Sequence, residues 1–251
     1  EQAYYSIGYR FAAISLIATA SILKILWKEV AESNERGDRE RVRRIYERTN
    51  RVLFMLGAVI SGFLVPWAAE IIQFLLGDAY REGAFVLSLM FIYPIHQSLG
   101  QVIGTMYYSL ELTKSHAIIG IIFVILSIIT VYFLLAPANA NIPGLELAST
   151  GMAIKMVIMQ ILGVNLSIWW LSRSQGWKFS IIYQFIGIGS FLFVGFFTKY
   201  SVSFLIWSGS PQIFKFILTG LLYIIISGLV IYSMPWLLSI KRSDIKMYIK
   251  I

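Results

Sequence analysis

The chain has 251 residues, of which 58% are apolar and only 14% are charged. An ordinary soluble domain has about 45–50% apolar and about 25% charged residues, so the composition excludes a soluble globular protein. The chain has no cysteine, which excludes disulfides and cysteine-based sites. Its formal net charge of +8 leaves an excess of basic residues to be explained.

Apolar segments of about 20 residues follow one another along the whole chain. A helix of about 20 apolar residues crosses a hydrocarbon core about 30 Å thick, and no alternating strands of barrel type interrupt the pattern. The sequence therefore predicts an all-α fold, a polytopic integral membrane bundle of about seven transmembrane helices. The predicted spans are residues 5–27, 52–76, 84–110, 117–136, 147–171, 180–197 and 214–238.

The polar stretch 28–51 separates the first two predicted spans. Gly37 is typical of a helix end and Asp38 of the N-cap of a following helix, so we predict two short helices here. Glu47 is spaced to pair with Arg43 or Arg51, each four residues away. Two interpretations remain open: a lipid-surface or gating helix that touches anionic headgroups, and a solvated amphipathic connector whose arginines fix topology.

The basic residues alternate between the two sides of the predicted bundle. Fifteen Lys and Arg residues lie in residues 28–51, at position 114, in residues 173–178 and in the tail, against three on the other side. The positive-inside rule makes the first side cytoplasmic, with the N-terminus outside and the C-terminus inside the cytoplasmic (inner) membrane. Topology thus accounts for the basic excess, and no nucleic-acid partner is expected. An odd number of spans after an outside N-terminus fits a chain preceded by further helices.

Two cations inside predicted spans are the first candidates for a binding site. Arg10 and Lys155 each lie about two turns from the outer side of a span. Charged groups at such positions usually face a cavity, and they form charge-assisted hydrogen bonds to phosphate oxygens. Arg10 can alternatively snorkel to the outer headgroups, whereas apolar neighbours of Lys155 favour a cavity.

The third predicted span carries the most polar side chains. His96, Gln97 and Gln101 follow Pro94, which should bend the helix. These three side chains, and Asn165 in the fifth span, either line a hydrated path that hydrogen-bonds sugars or hold helices together. No metal site is expected, since the two histidines are far apart in the chain.

Three further features of the spans have packing or interfacial interpretations. Gly100 and Gly104 form a GxxxG pattern, which suggests close helix packing. Lys24, near the cytoplasmic end of its span, is expected to snorkel. Glu70 is either a cation-coupling group or an interfacial acid.

Four stretches resemble, in order, motifs of the polysaccharide-transporter family in the multidrug/oligosaccharidyl-lipid/polysaccharide exporter superfamily. They cover about residues 1–165 and depart from the family pattern at Gly8 and Glu146. The departures affect the packing expected at those turns. The matching stretches are Ala3–Arg10, Glu29–Glu32 with Gly37–Asp38, Leu75–Tyr80, and Ile142–Ala153.

This resemblance implies a MATE-like two-lobe flippase with alternating access, of which residues 1–251 form the second, C-terminal lobe. Such proteins move oligosaccharides linked to undecaprenyl diphosphate to the outer leaflet for O-antigen or exopolysaccharide synthesis. Residues 180–238 would be two extra spans that help to bind the lipid tail. Arg10 lies in a matching motif, whereas Lys155 is inferred from its position alone. The resemblance implies membrane lipids and a glycan polymerase as partners. It implies no cofactor.

Two other functions remain as alternatives. A cation-coupled multidrug exporter of the same superfamily needs an acid in its cavity, and Glu70 comes closest. A membrane-embedded glycan polymerase or glycosyltransferase needs acids in the outer loops, which offer Asp78, Glu82 and Glu146. Because no catalytic sequence motif is present, we expect a transporter and not an enzyme.

Overall fold

The computed structural model describes residues 22–207 and 209–239, together with Ser6 and Tyr9, and all regular structure in this part is helical. Residues 22–35 are helical and are termed α1. The first predicted span, and Arg10 with it, lies mostly outside the described residues. The other helices are α2 (Arg39–Leu64), α3 (Ala68–Leu76), α4 (Ala84–Ser109), α5 (Thr113–Leu135), α6 (Ala148–Gln175), α7 (Ile182–Leu205) and α8 (Gln212–Ser233), with 3₁₀ turns at Val65–Trp67, Asp78–Gly83 and Pro235–Leu238.

Six helical stretches within the described residues are long and apolar enough to cross a membrane. Five are α4 with its preceding turn, α5, α6, α7 and α8, and the sixth is Arg39–Leu76, in which α2 and α3 follow each other around Pro66. The predicted polytopic helical membrane bundle is confirmed. The helices begin or end within a few residues of most predicted boundaries, although α7 continues to Leu205, beyond its predicted end.

The polar stretch 28–51 differs from its prediction in one respect. The chain does turn at Gly37, with φ of +72°, and the Asp38 carboxylate caps the next helix by accepting from the Arg41 amide at 2.9 Å. The following helix is not short, however, because α2 runs without a break from Arg39 to Leu64. Its buried stripe continues from Val42 into the membrane-spanning part, so packing keeps the helix intact.

Arg51 has different partners from those expected from its spacing. The predicted pair of Arg43 and Glu47 is present at 2.8 Å. Arg51 instead donates to the carbonyl oxygen of Trp236 at 2.6 Å, and its guanidinium lies 4.7 Å from the centre of the Tyr183 ring. These two contacts tie α2 to the chain after α8 and to the start of α7.

Helices α2, α4, α6 and α7 form the centre of the bundle. Helix α2 packs between α4 and α7, α6 packs on α4, and α5 and α8 lie outside against α6 and α7. Of the 23 residues of α5, all of them described, Ile119 alone is buried. The helices alternate in direction. One end of the bundle, here termed the basic end, therefore contains residues 28–51, the turns at 110–112 and 176–181, and Pro235–Leu238.

Glycines set the closest helix contacts. A Cβ atom added at Gly195 of α7 would overlap the carbonyl oxygen of Gly62 in α2, so the two backbones touch at this crossing. At the predicted GxxxG pattern, a Cβ on Gly100 would lie 2.9 Å from Gln160 Nε2 in α6, whereas Gly104 has more room. Close packing is therefore confirmed at Gly100, while among the described glycines the closest approach between helices is that of Gly195 and Gly62.

An ion pair joins the helices at the end opposite the basic end. Lys199 of α7 pairs with Glu70 of α3, donates to the carbonyl oxygen of Pro66 at 2.7 Å, and lies 4.8 Å from the centre of the Trp67 ring. The pair is mostly shielded, with 18% and 29% of the two side chains exposed. Glu70 is thus held by a cation, and its other oxygen is buried without a partner in the described part of the chain.

We expect Lys199→Met to destabilise the protein by about 1–2 kcal/mol, because it leaves the shielded Glu70 carboxylate without its cation. The addition of Glu70→Gln should recover much of this loss, since the remaining neutral side chain no longer needs a counter-charge. Thermal unfolding in detergent measures both effects, and Lys114→Met, at an exposed position, is the matched control. Equal stability of Lys199→Met and wild type would contradict a stabilising role for the pair.

Candidate functional site

An open groove lies between helices α4, α5 and α6 and has a volume of about 430 Å³. Its walls are mostly Ile, Val, Phe, Met and Gly residues, which form an apolar surface. The polar side chains that line it are Lys155, Gln160, His116, Ser127 and Ser167. The groove therefore combines an apolar wall with a few polar groups, as is typical of ligand sites.

The groove is long and carries a positive charge. Lys155 and Ser167 lie 12 residues apart on α6, about 18 Å along a helix that rises 1.5 Å per residue. Lys155 is partly exposed, and none of the described residues that line the groove is Asp or Glu. With no carboxylate to neutralise it there, the ammonium group of Lys155 can pair with an anion in the groove.

Gln160 connects the groove to the centre of the bundle. Its side-chain nitrogen donates to the carbonyl oxygen of His96 at 3.3 Å, across the contact between α6 and α4. The close approach at Gly100 brings the two helices near enough for this bond. Gln160 is thereby held with its amide at the groove wall, where its remaining donor and acceptor capacity can serve a ligand.

A buried polar network lies behind this wall. Gln184 of α7 is its centre: its Oε1 atom lies 3.1 Å from His96 Nε2 and accepts from Asn165 Nδ2 at 3.1 Å. Its Nε2 atom donates back to Asn165 Oδ1 at 2.9 Å. All three side chains are buried, so α4, α6 and α7 are joined by side-chain hydrogen bonds inside the apolar bundle.

The network continues toward the basic end through α2. The hydroxyl of Tyr183 accepts from Asn50 Nδ2 at 3.0 Å and from Gln184 Nε2 at 3.4 Å. His96 and Asn165, two predicted binding residues, therefore contact other helices and not the groove. This arrangement favours the helix-joining alternative for both residues.

The structure brings together only part of the predicted site. Lys155 lines the groove, whereas Gln97 and Gln101 are partly buried on α4 and do not line it. The Oε1 atom of Gln97 is buried without a partner in the described part of the protein. Arg10 lies outside the described residues, so the structure does not relate it to Lys155.

Sequence reasoning missed the groove residues Gln160, His116, Ser127 and Ser167, and the central role of Gln184. A signal existed for Gln160, because an amide side chain in the middle of an apolar helix is unusual. Gln184 gives no such signal, because it lies near the start of its helix, where polar residues are common. The serines give no such signal, since small hydroxyl residues are common in membrane helices and often bond their own backbone. Ser167, for example, donates to the carbonyl oxygen of Gly163 at 2.8 Å.

Comparisons of the chain with known proteins do not identify a family. Neither the protein-family models, the curated proteins nor the solved structures gave a match to this sequence or fold. The candidate site thus rests on its own geometry.

Proposed function

We propose that the chain is the second lobe of a transporter that moves undecaprenyl-diphosphate-linked oligosaccharide across the cytoplasmic membrane by alternating access. The observation that carries the proposal is Lys155, a cation about two turns inside a span, in an open groove whose described lining contains no acid. The order of the family-like motifs supports the same function. The product would serve the synthesis of surface polysaccharide.

The chemistry of the substrate matches the lining of the groove. A diphosphate in the hydrocarbon region is costly unless cations and hydrogen-bond donors replace its water. Lys155 supplies the charge, and Gln160 with nearby serines supplies donors for phosphate or sugar oxygens. The apolar wall suits the polyprenyl chain, so both halves of an amphipathic lipid find complementary surfaces.

The proposed orientation places the basic end in the cytoplasm. Lys155 is near the N-terminal end of α6, and the groove continues from there toward the basic end. A substrate loaded from the cytoplasmic leaflet would then pass along α6 toward Lys155, and release at the outer side would follow a change in access. Arg10 would line the same path from the first span.

We expect Lys155→Ala and Lys155→Gln to lower translocation at least about tenfold, the effect of losing about 1.4 kcal/mol of interaction with the diphosphate. Lys155→Arg should retain part of the activity because it keeps the charge. The assay is translocation of lipid-linked oligosaccharide by the full-length protein in proteoliposomes, with insertion checked for every variant. Lys114→Ala, at an exposed position of the basic end, is the control.

Three outcomes distinguish this proposal from its alternatives. Normal translocation by Lys155→Ala and by Arg10→Ala would remove both cations from the substrate path. Failure of the wild-type protein to move any lipid-linked glycan from a varied panel would contradict the flippase itself. Export of organic cations that depends on Glu70 would instead favour the multidrug exporter.

A further inference from the structure

A second, smaller pocket lies at the basic end, away from the groove between α4, α5 and α6. It is formed by α2, by the last two turns of α6, and by residues 177–183, which include the start of α7. Its polar lining consists of Tyr46, Glu47, Asn50, Arg51, Ser172, Lys178, Ser180 and Tyr183, with Trp177 and Ile168 beside them. The transport proposal uses none of these side chains.

The turn after α6 shapes one wall of the pocket. Helix α6 ends at Gly176, whose φ of +69° reverses the chain, and the amide of Trp177 donates back to the carbonyl oxygen of Ser172 at 2.7 Å. The Trp177 ring then stacks on Tyr46, with ring centres 5.5 Å apart. This contact holds the turn against α2 and brings the following residue, Lys178, to the pocket.

Arg51 lines the pocket from α2 and is held in place by two contacts. Its bond to the Trp236 carbonyl oxygen and its position over the Tyr183 ring restrict its side chain. A guanidinium restrained in this way loses less conformational freedom when it binds a ligand. The pocket thus has one restrained cation, Arg51, and one exposed cation, Lys178.

The charges in the wall favour an anion. Glu47 is the one carboxylate among the described lining residues, and it is already paired with Arg43 at 2.8 Å. The two cations Arg51 and Lys178 therefore remain in excess, and the hydroxyls of Ser172 and Ser180 add hydrogen-bond donors. The hydroxyl of Tyr46 is buried without a partner in the described part of the chain and can donate to an anion, whereas the unpartnered amide oxygen of Asn50 can accept only from a protonated phosphate oxygen.

The volume of the pocket limits which anions it can bind. The pocket has a volume of about 40 Å³, which is room for about three water-sized groups at about 10–15 Å³ each. This space accommodates up to three oxygens of a single phosphate group, whereas a nucleoside or a sugar is too large. Trp177 beside the pocket is a residue type that prefers the membrane–water boundary, where phosphate headgroups lie.

We propose that this pocket binds one phosphate group, presented either by an anionic phospholipid or by free phosphate. Arg51 and Lys178 neutralise the charge, and Ser172 and Ser180 donate hydrogen bonds to the remaining oxygens. The site is independent of the transport proposal, because it lies at the end of the bundle and shares no lining residue with the groove. A bound phosphate would join α2, α6 and α7 at the basic end.

The test uses two probes on the purified full-length protein. The first is inorganic phosphate, titrated in an uncharged detergent at constant ionic strength, with thermal stabilisation as the measurement. The second is phosphatidylglycerol, offered in mixed vesicles with phosphatidylcholine, with lipid retention measured by native mass spectrometry. Stabilisation by phosphate alone identifies a free phosphate site, and selective retention of phosphatidylglycerol identifies a headgroup site.

Lys178→Gln should weaken the observed binding about fivefold, the effect of one basic residue near an anionic surface. Ser180→Asp should weaken it further, because it places a carboxylate in the pocket. Both positions are exposed, so the variants should fold. Lys114→Gln, at the same end but outside the pocket, should bind as the wild type does. The proposal is wrong if neither probe binds, or if Lys114→Gln weakens binding as much as Lys178→Gln does.

Discussion

Gly195→Ala should destabilise the protein by about 3 kcal/mol, the upper part of the range for overpacked cores. The added methyl group would overlap the Gly62 carbonyl oxygen, and Pro66 Cγ lies 3.2 Å from the same position. The obstacle is backbone, so no side-chain rotation relieves it, and α7 must move away from α2. Gly195→Val should prevent stable folding, since a loss of more than about 3 kcal/mol is a large part of the total free energy of unfolding.

Gly189 on the same helix provides a matched control. A Cβ added there meets nothing within 4 Å, and the residue is exposed. Gly189→Ala should therefore leave stability unchanged or raise it by about 0.5–1 kcal/mol through better helix propensity. Thermal unfolding in one detergent compares the two alanine variants directly. If both variants lose the same stability, the crossing of α2 and α7 is not closely packed.

The membrane-spanning architecture was predictable because the number of apolar residues needed to cross a bilayer is a local property. Helices α4, α5 and α6 begin and end near their predicted boundaries for this reason. The uninterrupted α2 was not predicted, because whether a polar turn separates two helices depends on what its apolar side contacts. Likewise, 19 glycines in the sequence do not reveal that Gly62 and Gly195 meet.

The candidate site was only partly predictable for a related reason. Lys155 stands out because a charge among apolar residues is rare and costly, so one sequence position is enough to identify it. His96 and Asn165 also stand out as polar groups, but their partner decides their role, and that partner lies on another helix. Gln184 is two residues after the observed start of α7, where a polar residue is unremarkable in sequence.

Gln184→Met is expected to destabilise the bundle by about 2 kcal/mol. It removes the partner of His96 Nε2 and the paired amide of Asn165, and a buried polar group left unsatisfied costs about 1–3 kcal/mol. Side-chain bonds between membrane helices contribute about 0.6 kcal/mol on average and at most about 1.7 kcal/mol each, so a loss of about 2 kcal/mol is the expected total for the three interhelical bonds of Gln184. Gln212→Met, at an exposed position on α8, is the control.

A double-mutant cycle of Gln184→Met with His96→Leu decides between the two roles of this network. If the network joins helices, the combined loss of stability should be smaller than the sum of the single losses by about 1 kcal/mol, because the second change removes a group already left without its partner. Additive losses would show that the two side chains are not coupled. A hydrated substrate path predicts a different pattern, in which His96→Leu lowers translocation while stability stays unchanged. If His96→Leu lowers both stability and translocation, His96 acts indirectly, by holding α4, α6 and Gln160 in position behind the groove.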